Sequence, residues 1–147
     1  MTAVSLVMLE SDNDGISVKE HAISGVSYSP EGTVDGIKQT AEIINNPTGA
    51  VHDIAAVSAL CNDATIVGYN DNKAGRAFER IGEPTEAALC VLAEKLGGHY
   101  DGSVPTTPQI RASANVNKWR EMYPRQATLG KSLSHAQTLL PFAIISR

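Results

Sequence analysis

The feature that most constrains this fold is a helix-length run that is apolar nearly all round. Residues 84–96 read PTEAALCVLAEKL, begin with a proline and end before two glycines. Proline suits a first helical turn because its missing N–H has no intrahelical partner, and glycine suits the position just past the last turn. Within this run residues 87–93, AALCVLA, are apolar on almost every side. Such a helix must be covered on more than one face, so the rest of the chain is predicted to pack around it.

Two hairpins are predicted around this helix. Residues 2–9, TAVSLVML, are apolar on both alternating faces, which is typical of a strand covered on both sides. The polar residues 10–20 are interpreted as a turn, and residues 21–28, HAISGVSY, as the partner strand. Residues 65–82 contain two short strand-like runs about the turn residues NDNKAG, which predicts a second hairpin.

Three further helices are predicted. A short one is expected over residues 36–45, and an amphipathic one within residues 104–123, closed by Pro124. A core helix is predicted over residues 51–61, with Asp53 as a possible N-cap. Its apolar face contains Ile54, Val57, Leu60 and Cys61. Because hairpins and helices alternate irregularly, the predicted class is α+β, an antiparallel sheet flanked by helices.

Composition excludes several classes of partner. The 147 residues fit one domain, and the net charge of -4 gives no electrostatic reason to expect nucleic acid. No apolar stretch approaches the ~20 residues of a membrane span, and no basic residues precede the first apolar run as in a signal peptide. No direct membrane insertion is expected. Cys61 and Cys90 lie in apolar helical runs, which predicts buried free thiols in a reducing compartment.

The remaining motifs do not build a metal or phosphate site. The chain has four histidines, none of which pairs at metal-ligand spacing, and all are predicted to be surface or edge residues. They are His21, His52, His99 and His135. The triplet GKS at residues 130–132 lacks the earlier glycine of a P-loop, because Arg125 stands in its place.

Two acidic residues, Glu83 and Glu86, stand at the start of the predicted helix 84–96. From local chemistry alone, two interpretations are open. Acidic side chains there face the positive end of the helix dipole, so both residues can simply favour the helix start. Alternatively, they form part of a ligand site.

Three stretches carry a resemblance to a known family. ISGVSYSPEG at residues 23–32, VSALCNDA at 57–64 and AFERIGEPTEAALCVLAEKLG at 77–97 occur in this order. They resemble the nucleotide-binding domain of P-type ATPases of the sarco/endoplasmic-reticulum calcium-pump type. The resemblance covers residues 1–129 and implies an antiparallel sheet flanked by helices that presents ATP, with its Mg²⁺, to a separate phosphorylation domain.

The resemblance also implies which residues contact the nucleotide. Thr85 and Glu86 match the family's Thr-Glu pair, and that glutamate is associated with the adenine end of the nucleotide; Glu83 is a further candidate beside them. Two carboxylates at this helix start would repel a triphosphate, whereas a carboxylate can accept a charge-assisted hydrogen bond from an exocyclic amine. For Thr85, a role in the cap region and a role as a second contact both stay open.

The chain departs from the family's pattern in two places. The aspartyl-phosphate motif, Asp-Lys-Thr-Gly-Thr, does not occur in it, so no catalytic residue is predicted and activity of the chain alone is left open. After Leu129 the family's strand with its adenine-stacking Phe and its Lys is replaced by GKSL and an unrelated tail. Residues 1–129 are therefore predicted to be domain-like, and 130–147 a makeshift strand or disordered tail of a truncated, spliced or mis-joined product.

The sequence thus predicts an ATP-binding domain fragment of a calcium-transporting P-type ATPase. Its expected partners are ATP and the remaining domains of the pump, and its expected location is the cytosolic face of the endoplasmic or sarcoplasmic reticulum membrane. The alternative is a non-enzymatic interaction or structural fragment of the pump that binds no nucleotide.

Overall fold

A computed structural model describes residues 2–13, 15–25, 27–38, 43, 49–71, 75–97 and 107–124 of the chain. In chain order the elements are β1 (Ser5–Asp12), β2 (Gly15–Ala22), α1 (Ala50–Leu60), β3 (Thr65–Asp71), β4 (Gly75–Ile81), α2 (Pro84–Leu96), α3 (Pro108–Arg111) and α4 (Ala114–Met122). The strands form two antiparallel pairs, β1 with β2 and β3 with β4. The α+β class with antiparallel strands and flanking helices is therefore confirmed.

The first hairpin is present, but its turn is much tighter than predicted. The pairing runs from Ser5 opposite Ala22 to Asp12 opposite Gly15, so most of the polar segment expected as a turn is paired strand. Polar residues are compatible with a strand when one face lies in solvent. The prediction that the first strand is covered on both faces holds only for part of its length: Ser5 and Leu6, on alternating faces, are buried, whereas Leu9 is 48% exposed.

The second strand of this hairpin ends earlier than predicted. Beyond Ala22, Ile23 makes a single bridge to Val34, and the backbone N–H of Ser24 donates to the Thr33 carbonyl at 2.9 Å. This short extension brings the Ser24 carbonyl next to the C-terminal end of α2, where it accepts a hydrogen bond from Lys95.

Helix α1 begins one residue before the predicted start, and its N-cap is Gly49. The prediction of Asp53 as N-cap is therefore wrong, because Asp53 lies inside the first turn. The expected apolar face is present, with Ile54 and Leu60 buried. The helix predicted over residues 36–45 lies mostly outside the described residues.

The hairpin of β3 and β4 confirms the second predicted pair of strands. Its register runs from Thr65 opposite Ile81 to Asp71 opposite Gly75. Residues 72–74 of the predicted turn lie outside the described residues. The pairing places Ile81 at the end of β4, directly before the turn into α2.

Helix α2 is the central element, and its bounds are those predicted from the sequence. It begins at Pro84 and stops at the C-cap Gly97, whose φ of 77° is in the left-handed region that glycine adopts without strain. It packs against α1, α4 and β3. The buried core around it takes apolar side chains from β1, α1, β3, α2 and α4, among them Leu6, Ile54, Ile66, Leu92 and Trp119. The predicted covering of this helix on several faces is confirmed.

The predicted third helix is divided into α3 and α4. At the break, Ser113 donates its hydroxyl to the Ile66 carbonyl of β3 at 2.8 Å. Ser113 is the N-cap of α4, and its φ of -141° is outside the helical range, so the chain leaves the helical conformation there and a new helix begins at Ala114. The boundary predicted at residue 129 and the tail 130–147 lie outside the described residues. None of the helices in the described ranges has the length and hydropathy of a membrane span.

The two histidines in the described ranges, His21 and His52, are less exposed than the predicted surface or edge positions. His21 is only 7% exposed, its Nδ1 lies 2.8 Å from the Asp35 carbonyl and its Nε2 lies 3.1 Å from Glu10 Oε1. The Asp35 carbonyl gives the buried ring a hydrogen-bond partner, which spacing along the chain does not reveal. His52 is half-buried, with its ring 5.0 Å from that of Trp119. His99 and His135 lie outside the described residues.

Candidate functional site

The site is built where β4 turns into α2. Gly82 occupies this turn with a φ of 102°, and a Cβ there would lie 3.1 Å from the Cα of Ala64 and 3.2 Å from its Cβ. A side chain at this position would thus meet both backbone strain and a crowded neighbour. The glycine therefore lets the start of α2 lie directly against the loop that follows α1, residues 61–64, called here the 61–64 loop.

Glu86 joins the start of α2 to the same loop. It is half-buried in the first turn of the helix, and its Oε2 accepts a hydrogen bond from the backbone N–H of Asp63 at 3.1 Å. No described residue donates a hydrogen bond to its Oε1. The carboxylate thus has one oxygen fixed by the protein and one oxygen with spare accepting capacity.

The other two predicted site residues lie beside Glu86 and are more exposed. Glu83 is the N-cap of α2, with an extended backbone and no side-chain cap bond, and its carbonyl accepts from the Ala87 N–H at 2.9 Å. Thr85 is an exposed residue of the first turn. All three predicted residues therefore lie at one helix start, and Glu86 contacts the 61–64 loop.

The 61–64 loop is held by side chains from two helices. Cys90 of α2 donates its thiol to Asn62 Oδ1 at 3.0 Å and lies 3.4 Å from the Ala64 carbonyl. Burial raises the pKa of Cys90 to about 11, so this thiol keeps its proton and acts as a donor. The Asn62 amide in turn donates to the Ser58 carbonyl of α1.

Arg120 of α4 holds the loop from the other side. Its Nε donates to the Ala59 carbonyl at 3.3 Å, and its Nη2 lies 3.2 Å from both the carbonyl and Oδ1 of Asn62 and 3.3 Å from the Ala64 carbonyl. The last carbonyls of a helix have no intrahelical partner, and α1 has no basic residue in its last turn. Arg120 supplies the missing donors and a positive charge at the negative end of the dipole.

Sequence reasoning did not identify Arg120, Asn62 or Cys90 as parts of this site. One signal was available, because a helix that lacks a cation in its last turn needs donors for its carbonyls from elsewhere. The sequence does not say which distant residue provides them. The residues that carried the family resemblance, CNDA and GEPTEAALC, are the ones that meet in this contact.

A second polar cluster lies at the opposite end of α2. The Glu94 side chain is fully buried; Oε2 lies 2.9 Å from Arg111 Nη1, and Oε1 accepts from the Val116 N–H at 2.8 Å. Burial raises the pKa of Glu94 to about 7, against the effect of these donors. Lys95 is 2% exposed, donates to the Ser24 carbonyl at 2.7 Å, and has its pKa lowered by burial. These groups tie the helix end to its neighbours.

Two surface cavities are lined by described residues, and neither reaches residues 83–86. One of about 470 Å³ lies between β1 and the start of α1, and one of about 440 Å³ lies along α3 and α4. Within the described parts of the chain, no group of three or more His, Cys, Asp or Glu side chains is placed to hold a metal ion.

Comparison with known proteins agrees with this arrangement. Residues 50–130 match the family model of the P-type ATPase, cytoplasmic domain N. A relative in Arabidopsis thaliana, the endoplasmic reticulum-type calcium-transporting ATPase 3, is 33% identical over 130 residues, which are 85% of this chain and 13% of the relative. The endoplasmic reticulum calcium ATPase srcA of Aspergillus fumigatus is 37% identical over 97 residues, 66% of this chain and 10% of that protein.

This chain therefore spans only about a tenth of the length of these relatives. The matched stretch contains the 61–64 loop, the start of α2 and Arg120. The predicted resemblance is thus confirmed over more than half of the chain. The chain belongs to the P-type ATPase family, as a cytoplasmic N domain.

Proposed function

We propose that this chain is the ATP-binding domain of a calcium-transporting P-type ATPase of the endoplasmic reticulum, on the cytosolic side of that membrane. Both relatives described above are named as endoplasmic reticulum calcium ATPases, which supports the location and the transported ion. In this proposal the domain binds ATP and presents it to an aspartyl-phosphate domain contributed by the rest of the pump. Phosphoryl transfer depends on positioning and charge neutralisation by groups at that second domain.

The half-buried carboxylate of Glu86 is the observation that carries the proposal. Its Oε2 is fixed by the Asp63 N–H, so its Oε1 is held in a defined direction. A carboxylate oxygen in that state accepts a strong hydrogen bond from the exocyclic amine of adenine. Thr85 and Glu83, on the same turn, are proposed as neighbouring contacts.

In this proposal the two acids at the start of α2 also determine the direction in which the phosphates of the nucleotide extend. Glu83 and Glu86 repel a triphosphate, because like charges close together are unfavourable even at the surface. The phosphates therefore extend away from the start of α2, and Mg²⁺ is held by the phosphates as part of the ligand. This orientation leaves the γ-phosphate free for transfer to another domain.

Binding of Mg²⁺-ATP and of Mg²⁺-ITP to the full chain tests the proposal. Inosine has a carbonyl where adenine has the exocyclic amine, so the wild type is expected to prefer ATP by about tenfold or more. Glu86→Ala removes the acceptor and is expected to abolish this preference. Glu121 is an exposed acid that pairs with Lys118 at 3.4 Å, and Glu121→Ala is the matched control that is expected to keep the preference. An unchanged preference in Glu86→Ala would contradict the role of Glu86.

A second candidate function is an interaction fragment that keeps the fold and binds no nucleotide. It is favoured by one observation: the two described cavities lie away from residues 83–86. Thermal unfolding separates the two candidates, since a ligand at ten times its dissociation constant adds about 1.4 kcal/mol of stability. No stabilisation of the wild type by millimolar Mg²⁺-ATP would favour the interaction fragment.

A further inference from the structure

We propose that Arg120 is a positioning residue for adenine recognition, acting on Glu86 through the 61–64 loop. The inference rests on the proposed function, because it assigns a role to Arg120 in that same site. Arg120 lies on α4 and has no described contact with Glu86. Its effect is transmitted by the loop, which Arg120 contacts on one side and Glu86 on the other.

The first step is the fixing of the loop by a single guanidinium. Arg120 bonds carbonyls before, within and at the end of the loop, at Ala59, Asn62 and Ala64. A planar guanidinium reaches acceptors in several directions at fixed angles, whereas a lysine amine is a single point donor on a flexible stem. The loop backbone is therefore held in one conformation by the geometry of arginine as well as by its charge.

The second step is the direction of one backbone N–H. The Asp63 N–H lies between the two anchored residues Asn62 and Ala64, and it is the donor to Glu86 Oε2 at 3.1 Å. Cys90 adds a second anchor, since its thiol shares the acceptor Asn62 Oδ1 with Arg120. When the loop is fixed, this N–H holds the Glu86 carboxylate in one rotation. When it is not, the carboxylate turns freely and its Oε1 loses its defined direction.

Two substitutions at Arg120 separate its charge from its geometry. Arg120→Met keeps an apolar side chain and removes all hydrogen-bond donors. Arg120→Lys keeps the positive charge but lacks the planar guanidinium. We expect the ATP-over-ITP preference of the full chain to fall from about tenfold to near onefold in Arg120→Met, with an intermediate value in Arg120→Lys. The affinity for ITP is expected to change less than about twofold, because the C6 carbonyl of ITP cannot donate the bond that the exocyclic amine of adenine donates to Glu86.

Arg111→Met is the matched control for a merely structural role. Arg111 is also a half-buried arginine of the same region, but it bonds Glu94 and the Pro30 carbonyl and has no described contact with the 61–64 loop. The Arg111→Met chain is expected to lose stability and to keep the ATP-over-ITP preference. A second readout needs no ligand: amide hydrogen exchange at Asp63 should be faster in Arg120→Met and unchanged in Arg111→Met.

The outcomes distinguish failure of this inference from failure of the proposed function. A wild type that prefers ATP, loses the preference in Glu86→Ala and keeps it in folded Arg120→Met and Arg120→Lys would overturn the role of Arg120 alone. A wild type without any preference would overturn both proposals. Equal loss of preference in Arg120→Met and Arg111→Met would show that general destabilisation is the cause, and would also overturn the inference.

Discussion

Charged side chains are buried at one end of α2 and exposed or half-buried at the other. At the C-terminal end, Glu94 and Lys95 are each 2% exposed and bond to other parts of the chain. At the N-terminal end, Glu83 is exposed and Glu86 is half-buried, with a single described hydrogen bond. The C-terminal end of α2, called here the closed end, therefore carries buried charged groups that are bonded within the chain. The N-terminal end, called here the open end, carries acids that solvent can reach.

The difference follows from what burial demands. A carboxylate taken out of water is tolerated only when donors replace its hydration, and Glu94 uses both of its oxygens for that purpose. Glu86 keeps part of its hydration and needs only one protein donor, so its other oxygen can exchange water for a ligand. Stability is thus concentrated at the C-terminal end of α2, and capacity for recognition at the N-terminal end.

The largest effect is expected from breaking the closed end. Glu94→Ala leaves Arg111 Nη1 and the Val116 N–H without the acceptor they share, and removal of one partner of a buried pair costs about 3–5 kcal/mol. Denaturant unfolding measures this loss. The exposed acid Glu121 is the control, and its change to Ala should cost less than about 0.5 kcal/mol. Similar losses at both positions would remove the contrast between buried and exposed acids.

The pH dependence of stability tests the burial of Glu94 at the C-terminal end of α2. Burial raises the pKa of Glu94 from 4.5 to about 7, so between these values the folded chain holds a proton that the unfolded chain has released. The resulting contribution is fully present below pH 4.5 and is lost as pH rises through 7, by on the order of 3 kcal/mol. Glu94→Gln cannot titrate and lacks this slope. Parallel stability profiles of wild type and Glu94→Gln would show that Glu94 does not titrate in this range.

A smaller loss of stability is expected from a substitution in the turn that precedes the N-terminal end of α2. Gly82→Ala places a Cβ 3.1 Å from the Ala64 Cα at a φ of 102°, and it should cost about 2–3 kcal/mol. Gly15→Ala is the control, since Gly15 has a φ of 130° and nothing within 4 Å of its Cβ position. It should cost about 1 kcal/mol, for backbone strain alone. Equal thermal shifts for the two variants would mean that the contact with Ala64 is not tight.

The smallest effect is expected at the exposed N-cap. Glu83 makes no side-chain cap bond, so Glu83→Ala removes only its interaction with the helix dipole, worth less than about 0.5 kcal/mol. Thermal unfolding at low and high salt measures it, because dipole effects are screened by salt. A loss above about 1 kcal/mol that persists at high salt would show that Glu83, like Glu94, makes a stabilising contact within the fold.

Much of the fold was predictable from local signals. Pro84 and Gly97 fixed the bounds of α2, and turn residues located the second hairpin. The N-cap predicted at Asp53 lies about one turn after the observed N-cap Gly49, because an acid is equally favourable at an N-cap and in the first turn. The polar residues 10–20 are typical of a turn, and their sequence indicates a strand only when one face of the hairpin is known to be exposed.

By itself, the sequence determined the class of fold, the position of α2 and the placing of Glu83, Thr85 and Glu86 at its start. These depend on residues close together along the chain. Only the tertiary structure decided which charges are buried and which loop receives Glu86. Arg120 and Asn62 are 58 positions apart, and Glu86 and Asp63 are 23 apart. Hydrogen-bond partners at such separations are selected by how the helices pack, and no local pattern specifies them.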